Sequence, residues 1–269
     1  MNVNGESYHV EVEGSGTPVV LLHGFTGSTK SWSRMMRAFK HEFQLIAIDL
    51  PGHGQTKVSQ SEKYEMEQAC NAIKSILDQL NINKTAVIGY SMGGRTALAF
   101  AHLYPERVSC LILESASPGL KTAAERAARQ KSDKELAAFI ESEGVERFTD
   151  RWEQVPLFDS QKLLSAEKRQ EIRAGRLKNS ETGLALSLRY MGTGSQKSYW
   201  DRLKTMTMPV LLLTGEWDRK FINIADEMIK LLPNAVHHNI LSTGHAIQVE
   251  QPEKFDTMVR EFLNENSTT

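Results

Sequence analysis

A chain of 269 residues, 40% of them hydrophobic, is long enough to bury one large core and fits a single α/β domain carrying an insertion. Its formal net charge of −1 excludes a broad nucleic-acid or anionic-membrane surface but leaves room for a local basic pocket. The two cysteines, Cys70 and Cys110, are too few and too far apart for a disulfide framework or a metal site, and no metal or organic cofactor is implied.

The opening stretch MNVNGESYHVEVEG lacks a basic segment followed by an apolar one, so no secretory signal is visible. Runs such as PVVLL and VLLL are far too short to span a bilayer. The expectation is a soluble cytoplasmic protein of unspecified oligomeric state.

In chain order, YHVEVE alternates with period two and reads as a strand exposed on one face. PVVLLHG, FQLIAIDLPG, TAVIGYS and VSCLILES are continuous apolar runs closed by Gly, Ser or Pro, the pattern of strands covered on both faces. Between them Met66, Ala69, Cys70, Ile73, Leu77 and Leu80 recur at helical spacing. After Pro118 the chain becomes helical and charge-rich. Strand patterns return at Met208–Trp217 and Val236–Leu241, and a helix with Phe255, Met258, Val259 and Phe262 on one face follows Pro252. Alternating strands and helices predict a mostly parallel sheet flanked by helices. The expected organisation is a core in two parts, 1–119 and 206–269, with a helical lid at 120–205 on the carboxyl edge of the sheet.

Gly89-Tyr90-Ser91-Met92-Gly93 follows a strand and opens a helix, which is the context of a nucleophile elbow. A side chain at position 89 or 93 would collide with neighbouring backbone in so tight a turn. A serine nucleophile needs a base, and the base needs an orienting acid. Asp218 and His245 follow Ser91 in the chain order of this fold, each at a strand end. Taken singly, Asp218 reads equally well as a helix cap and His245 as a loop histidine. Asp49 is expected to brace its own loop, and His53 precedes the serine, which is the wrong order. His237 and His238 lie within a strand and are expected to face solvent or a neighbouring side chain. His23-Gly24-Phe25 follows another strand, so the backbone N–H groups of Phe25 and Met92 are candidate oxyanion donors.

Together HGF, DLPGHG, GYSMGG, GEWD and GHA resemble the α/β-hydrolase fold superfamily across nearly the whole chain, a match specific for fold and uninformative about reaction. A narrower set is similar to the 2-succinyl-6-hydroxy-2,4-cyclohexadiene-1-carboxylate synthase family: GYSMGGR, ILESASPGL, AERAARQKSD, WEQVPLF, GEWDRKF and GHAIQVEQPE. The resemblance implies a lyase of menaquinone biosynthesis. Such an enzyme eliminates pyruvate from 2-succinyl-5-enolpyruvyl-6-hydroxy-3-cyclohexene-1-carboxylate. It also implies Ser91, Asp218 and His245 as the triad, Phe25 and Met92 as oxyanion donors, and Tyr90, Arg95, Arg129, Trp152 and Arg176 around the substrate. Arg173 competes with Arg176 for that last place. Gln248 stands where many members carry a second histidine, and no role is assigned to it.

An anionic small molecule with three carboxylates calls for cationic partners, and arginine's planar fork suits them. This gives the arginines after the ILES strand a purpose that an ordinary esterase lacks. The resemblance favours Arg129 for the pocket and Arg126 for solvent. The plain alternative is a surface ion pair between Glu125 and Arg129, spaced i, i+4. Likewise Arg95 can pack beneath the elbow, and Trp152 can belong to the lid core. At the level of function, a serine hydrolase acting on a carboxylate-bearing ester or a vinylogous carbon–carbon bond shares the same triad. A non-catalytic ligand-binding protein on this fold is a third reading, opposed by the complete Ser91–Asp218–His245 set.

Overall fold

The structure is a computed structural model, and it describes residues 1–266. A small hairpin of β1 (Asn2–Val3) and β2 (Glu6–Ser7) precedes the main sheet. That sheet has seven strands: β3 (Val10–Glu13), β4 (Thr17–Leu22), β5 (Phe43–Ile48), β6 (Thr85–Tyr90), β7 (Val108–Glu114), β8 (Val210–Gly215) and β9 (Ala235–Ile240). Their spatial order is β3-β5-β4-β6-β7-β8-β9. Only β3 pairs antiparallel, against β5; every other pairing is parallel.

The continuous apolar runs are explained by the two-residue period of a strand. In β4, Val20 and Leu22 enter one core while Val19 and Leu21 enter the other. Leu111 and Leu113 of β7 follow the first pair, and Cys110 and Ile112 the second. The first core is closed by α2 (Met66–Gln79) and α3 (Met92–Leu103), the second by α1 (Ser33–Phe39) and α9 (Pro252–Asn266). A side chain of this kind contributes ~1.5–3 kcal/mol when fully buried, so no polar face survives on the central strands. β3 and β9 lie at the two edges, and in the main sheet only they include exposed residues.

Between β7 and β8 the chain leaves the sheet and forms α4 (Ala123–Trp152), α5 (Ala166–Arg176) and α6 (Glu181–Met191). Ala137, Ile140 and Phe148 of α4 meet Leu184, Ala185 and Leu188 of α6 in a third, separate core. α4 opens with a capping box: the Thr122 hydroxyl accepts the Glu125 N–H while the Glu125 carboxylate accepts the Thr122 N–H. This commits Glu125 and rules out the alternative Glu125–Arg129 pair. Arg129 turns the other way and donates to Asp133 at 2.7 Å, also at i, i+4. The remaining helices are α7 (Arg219–Ile229) after β8 and the single turn α8 (Ile247–Glu250) after β9. No helix among the described residues is long and apolar enough to cross a membrane.

Candidate active site

Ser91 stands between β6 and α3 with φ 51° and ψ −106°, a left-handed backbone that an L-residue adopts only under constraint. The constraint is close packing of the turn. A Cβ at Gly89 would lie 2.3 Å from the Gly93 carbonyl oxygen, and one at Gly93 would lie 2.0 Å from that of Leu22. The Ser91 N–H donates to the Glu114 carbonyl at the end of β7, which locks the turn to the sheet.

The loops after β8 and β9 bring two further groups to this point. His245 Nδ1 lies 2.6 Å from Asp218 Oδ2, and His245 Nε2 lies 2.9 Å from Ser91 Oγ. An ionised carboxylate only accepts, so Nδ1 carries the proton and Nε2 is the acceptor for the Ser91 hydroxyl. His245 and Asp218 are almost fully buried. Asp218 also caps α7, accepting the Phe221 N–H through Oδ1 at 3.4 Å. The helix-cap reading and the His-orienting reading are therefore both satisfied by one side chain.

Above Ser91 opens a cavity of about 390 Å³, between the sheet edge and the inserted helices. Phe25, Tyr90, Met92, Arg95, Arg129 and Trp152 all line it. Trp152 packs edge-on against Phe25 at 5.5 Å and also touches Phe148 and Phe158, so it belongs to the core of the inserted helices and to the cavity wall together. Its indole N–H is buried with no hydrogen-bond partner among the described residues. Arg95 is buried and donates to the Met191 carbonyl and, at 2.6 Å, to Gln196 Oε1. Burial and the nearby Arg129 charge press its pKa down to about 10. Burial likewise raises the Tyr90 phenol far above its usual range, so it is a neutral hydrogen-bonding group.

A family model described as the alpha/beta hydrolase fold matches residues 17–252. A Bacillus subtilis protein, provisionally named as 2-succinyl-6-hydroxy-2,4-cyclohexadiene-1-carboxylate synthase, is 46% identical over 97% of this chain and 96% of its own. The Citrobacter koseri protein of that name is 34% identical over 88% of this chain and 90% of its own. The chain belongs to this synthase family, within the α/β-hydrolase fold. Among solved structures, MenH from S. aureus has a TM-score of 0.93 at 38% identity, covering 97% of this chain and 99% of that one. A thermophilic esterase from Thermogutta terrifontis, solved with malate bound, has a TM-score of 0.86 at 26% identity, covering 99% and 97%.

One arginine of this synthase-family chain lies elsewhere than the sequence placed it. Arg176 does not line the cavity over Ser91. It is buried behind Phe158, 5.2 Å from that ring, and donates to Glu153 and Gln161, both at 3.1 Å. There it lines a second cavity of about 300 Å³ together with Arg173. Arg126 is half-buried and folds back to donate to the Leu120 carbonyl at 3.2 Å. The competing residues behave as expected. Asp49 accepts the Gln55 N–H of its own loop and the Thr29 N–H of the segment between β4 and α1, and His237 contacts Thr214 and Asp226.

Lys220, Phe158 and Phe221 also line the cavity and were not nominated from sequence. The two aromatic rings flank His245, with Phe221 at 4.7 Å and Phe158 at 6.1 Å. Lys220 has no carboxylate within ion-pair distance among the described residues, whereas Arg129 is paired with Asp133 and Lys121 with Glu227. Burial, then repulsion from Arg129, lowers the Lys220 pKa. A signal for Lys220 was present in the sequence: Arg219 and Lys220 occupy the first turn of α7, where the helix dipole disfavours cations.

Proposed function

We propose that this chain is a lyase of menaquinone biosynthesis that eliminates pyruvate from 2-succinyl-5-enolpyruvyl-6-hydroxy-3-cyclohexene-1-carboxylate, giving 2-succinyl-6-hydroxy-2,4-cyclohexadiene-1-carboxylate. The observation that carries the reading is a Ser–His–Asp line opening into a cavity walled by cations, in a chain of this synthase family. Ser91, His245 and Asp218 act as the catalytic triad, and the helical segment 120–205 acts as the lid of a core formed by 1–119 and 206–269. The enzyme works in the cytoplasm.

His245, held by Asp218, takes the Ser91 proton as Ser91 Oγ removes the proton from the carbon beside the succinyl ketone. The resulting charge moves to the ketone oxygen. The Met92 N–H has no acceptor inside its own helix, because Met92 is the first residue of α3. It and the Phe25 N–H are the oxyanion donors. Electrons then flow through the ring double bond and break the ring carbon–oxygen bond, releasing the enolate of pyruvate. That enolate takes up the abstracted proton, so no water is consumed. Arg95, Arg129, Tyr90 and the Trp152 indole N–H bind the carboxylates and the ring oxygens. Arg176 contributes through Phe158, whose ring it supports.

The likeness to an esterase solved with malate favours one second reading, a serine hydrolase for a carboxylate-bearing ester. One experiment separates the two. The enolpyruvyl substrate is supplied and pyruvate is followed with a coupled dehydrogenase, beside Ser91→Ala and a panel of nitrophenyl esters. The lyase reading expects pyruvate release that Ser91→Ala lowers by ~10³-fold or more. Absence of pyruvate from folded wild-type protein, with rapid ester cleavage, would give the hydrolase the better claim.

A further inference from the structure

Glu114 and Tyr90 end β7 and β6 and are partners across those strands. The two-residue period turns both side chains to the face of Cys110 and Ile112, which α1 and α9 close. A carboxyl is out of place there. Glu114 is fully buried, and no cation is set against it among the described residues. Its backbone carbonyl accepts the Ser91 N–H at 2.9 Å, and its Oε1 accepts the Gln248 N–H of α8 at 3.1 Å. Three buried oxygens of these bonded or adjoining residues have no partner among the described residues: Glu114 Oε2, Gln248 Oε1 and Ser115 Oγ.

We propose that Glu114 is a positioning residue that works as an undissociated acid, joining the Ser91 turn to α8 while sparing the site a further buried anion. This rests on the reading of Ser91 and His245 as the reacting pair. A proton on Glu114 Oε2 makes that oxygen a donor, and the unpartnered Gln248 Oε1 and Ser115 Oγ are acceptors open to it. An ionised carboxylate in the same place has no cation to offset its burial. The groups that face it give no relief. From α8 come Glu250, a like charge, and the Gln248 and Ile247 N–H groups; from β6 comes Tyr90, a neutral phenol; from β8 comes the apolar Leu213. Burial outweighs the two N–H groups and, with Glu250, pushes the carboxyl up to about 8. The acid is intact below that value and is lost as pH rises through it. Tyr90 also feels Asp218, Glu250 and, in the opposite sense, Arg176, and its ring lies 5.5 Å from that of His245. Ionising Glu114 therefore adds a third carboxylate to a group already holding Asp218 and Glu250. It also sets a negative charge behind the turn whose front, at the Met92 N–H, receives the oxyanion. At an effective dielectric of ~20, such a like charge is worth on the order of tenfold in rate.

The test uses Glu114→Gln, which retains an acceptor oxygen and carries N–H donors at every pH. Far-UV circular dichroism establishes that wild type and variant stay folded from pH 6 to 10. Two rates are followed across that range: steady-state pyruvate release, and labelling of Ser91 by a small fluorophosphonate, which needs the base but not the natural substrate. In wild type, kcat and labelling are expected to fall about tenfold through a midpoint near pH 8, with KM nearly unchanged. Glu114→Gln is expected to run about threefold slower at pH 6.5 yet to hold that rate to pH 10. A merely structural role would lower the whole profile evenly. Wild-type labelling that stays level or rises to pH 10, or a folded Glu114→Gln that keeps the wild-type fall, would each overturn the proposal. Should Glu114→Gln not fold, Gln248→Met carries the decision. Loss of an acceptor for the acid proton lowers the midpoint by about half a pH unit, and a midpoint at or above the wild-type value overturns the proposal. Because labelling does not use the natural substrate, it decides the point even if wild type releases no pyruvate, an outcome that sinks only the lyase reading.

Discussion

Glu114, the last residue of β7, has no solvent exposure, and its carboxyl accepts the Gln248 N–H while Oε2 has no partner among the described residues. Burial pushes its pKa up to about 8 against the pull of those backbone donors. The folded state therefore holds this proton more tightly than the unfolded state, whose carboxyl titrates near the ordinary value of about 4.3. The stability this proton supplies is complete below the unfolded value and is lost as pH rises through about 8. Glu114→Gln keeps the acceptor and removes the charge, so the variant is expected to outlast wild type at pH 9 and to show a flatter decline from pH 5. Urea midpoints across that range check this; parallel curves would refute it. Lys220 supports a second expectation at this scale. An unpaired cavity cation lost by Lys220→Met should raise KM for a tricarboxylate by about tenfold, the worth of roughly one hydrogen bond to a charged group. Nitrophenyl acetate cleavage should stay near wild type, and an unchanged KM would remove Lys220 from the binding set. Chain order made Ser91, Asp218 and His245 legible as a set. Arg176 was not placed correctly by sequence, because a motif carries no information about which side of Phe158 a guanidinium occupies.

Among the elements, α4 is the one whose sequence conceals a break. It runs for 30 residues, yet Gly144 stands inside it with φ 82° and ψ 168°, a backbone that excludes side chains. That break lets the segment after it turn Phe148 and Trp152 toward Phe25. Gly144→Ala is expected to cost ~1–3 kcal/mol. In a chain of this size that lowers Tm by a few degrees per kcal/mol, read by a thermal melt. A variant as stable as wild type would show that the break relaxes freely. The five central strands, β4 to β8, were legible because period-two burial on both faces writes a continuous apolar run, and edge strand β3 because burial on one face writes an alternation. The β1–β2 hairpin, α1 and α8 were not: each is too short to display a period, and tertiary contacts rather than local pattern stabilise them.

For the whole molecule, the near-zero net charge hides an uneven distribution, with Arg95, Arg129, Lys121 and Lys220 gathered around one cavity. Local field at the cavity, not net charge, then governs capture of a polyanion. Raising NaCl from about 0.05 to 0.5 M, which shortens the screening length severalfold, should lower kcat/KM for the proposed substrate several-fold. It should leave neutral-ester cleavage almost unaltered, and a flat salt profile for both would count against carboxylate capture in this cavity. The sequence by itself determined the α/β layering, the elbow, and the order serine, acid, histidine, because each depends on spacing within short segments. Only the tertiary structure decided which cations face the cavity, that Asp133 and not Glu125 holds Arg129, and that Glu250 ties Ser160 to the loop of His245. The cavity lining and the Glu250 link join separate elements, while the spacing i, i+4 within α4 offers Arg129 both Glu125 and Asp133; in each case packing distances that no local pattern encodes choose the partner.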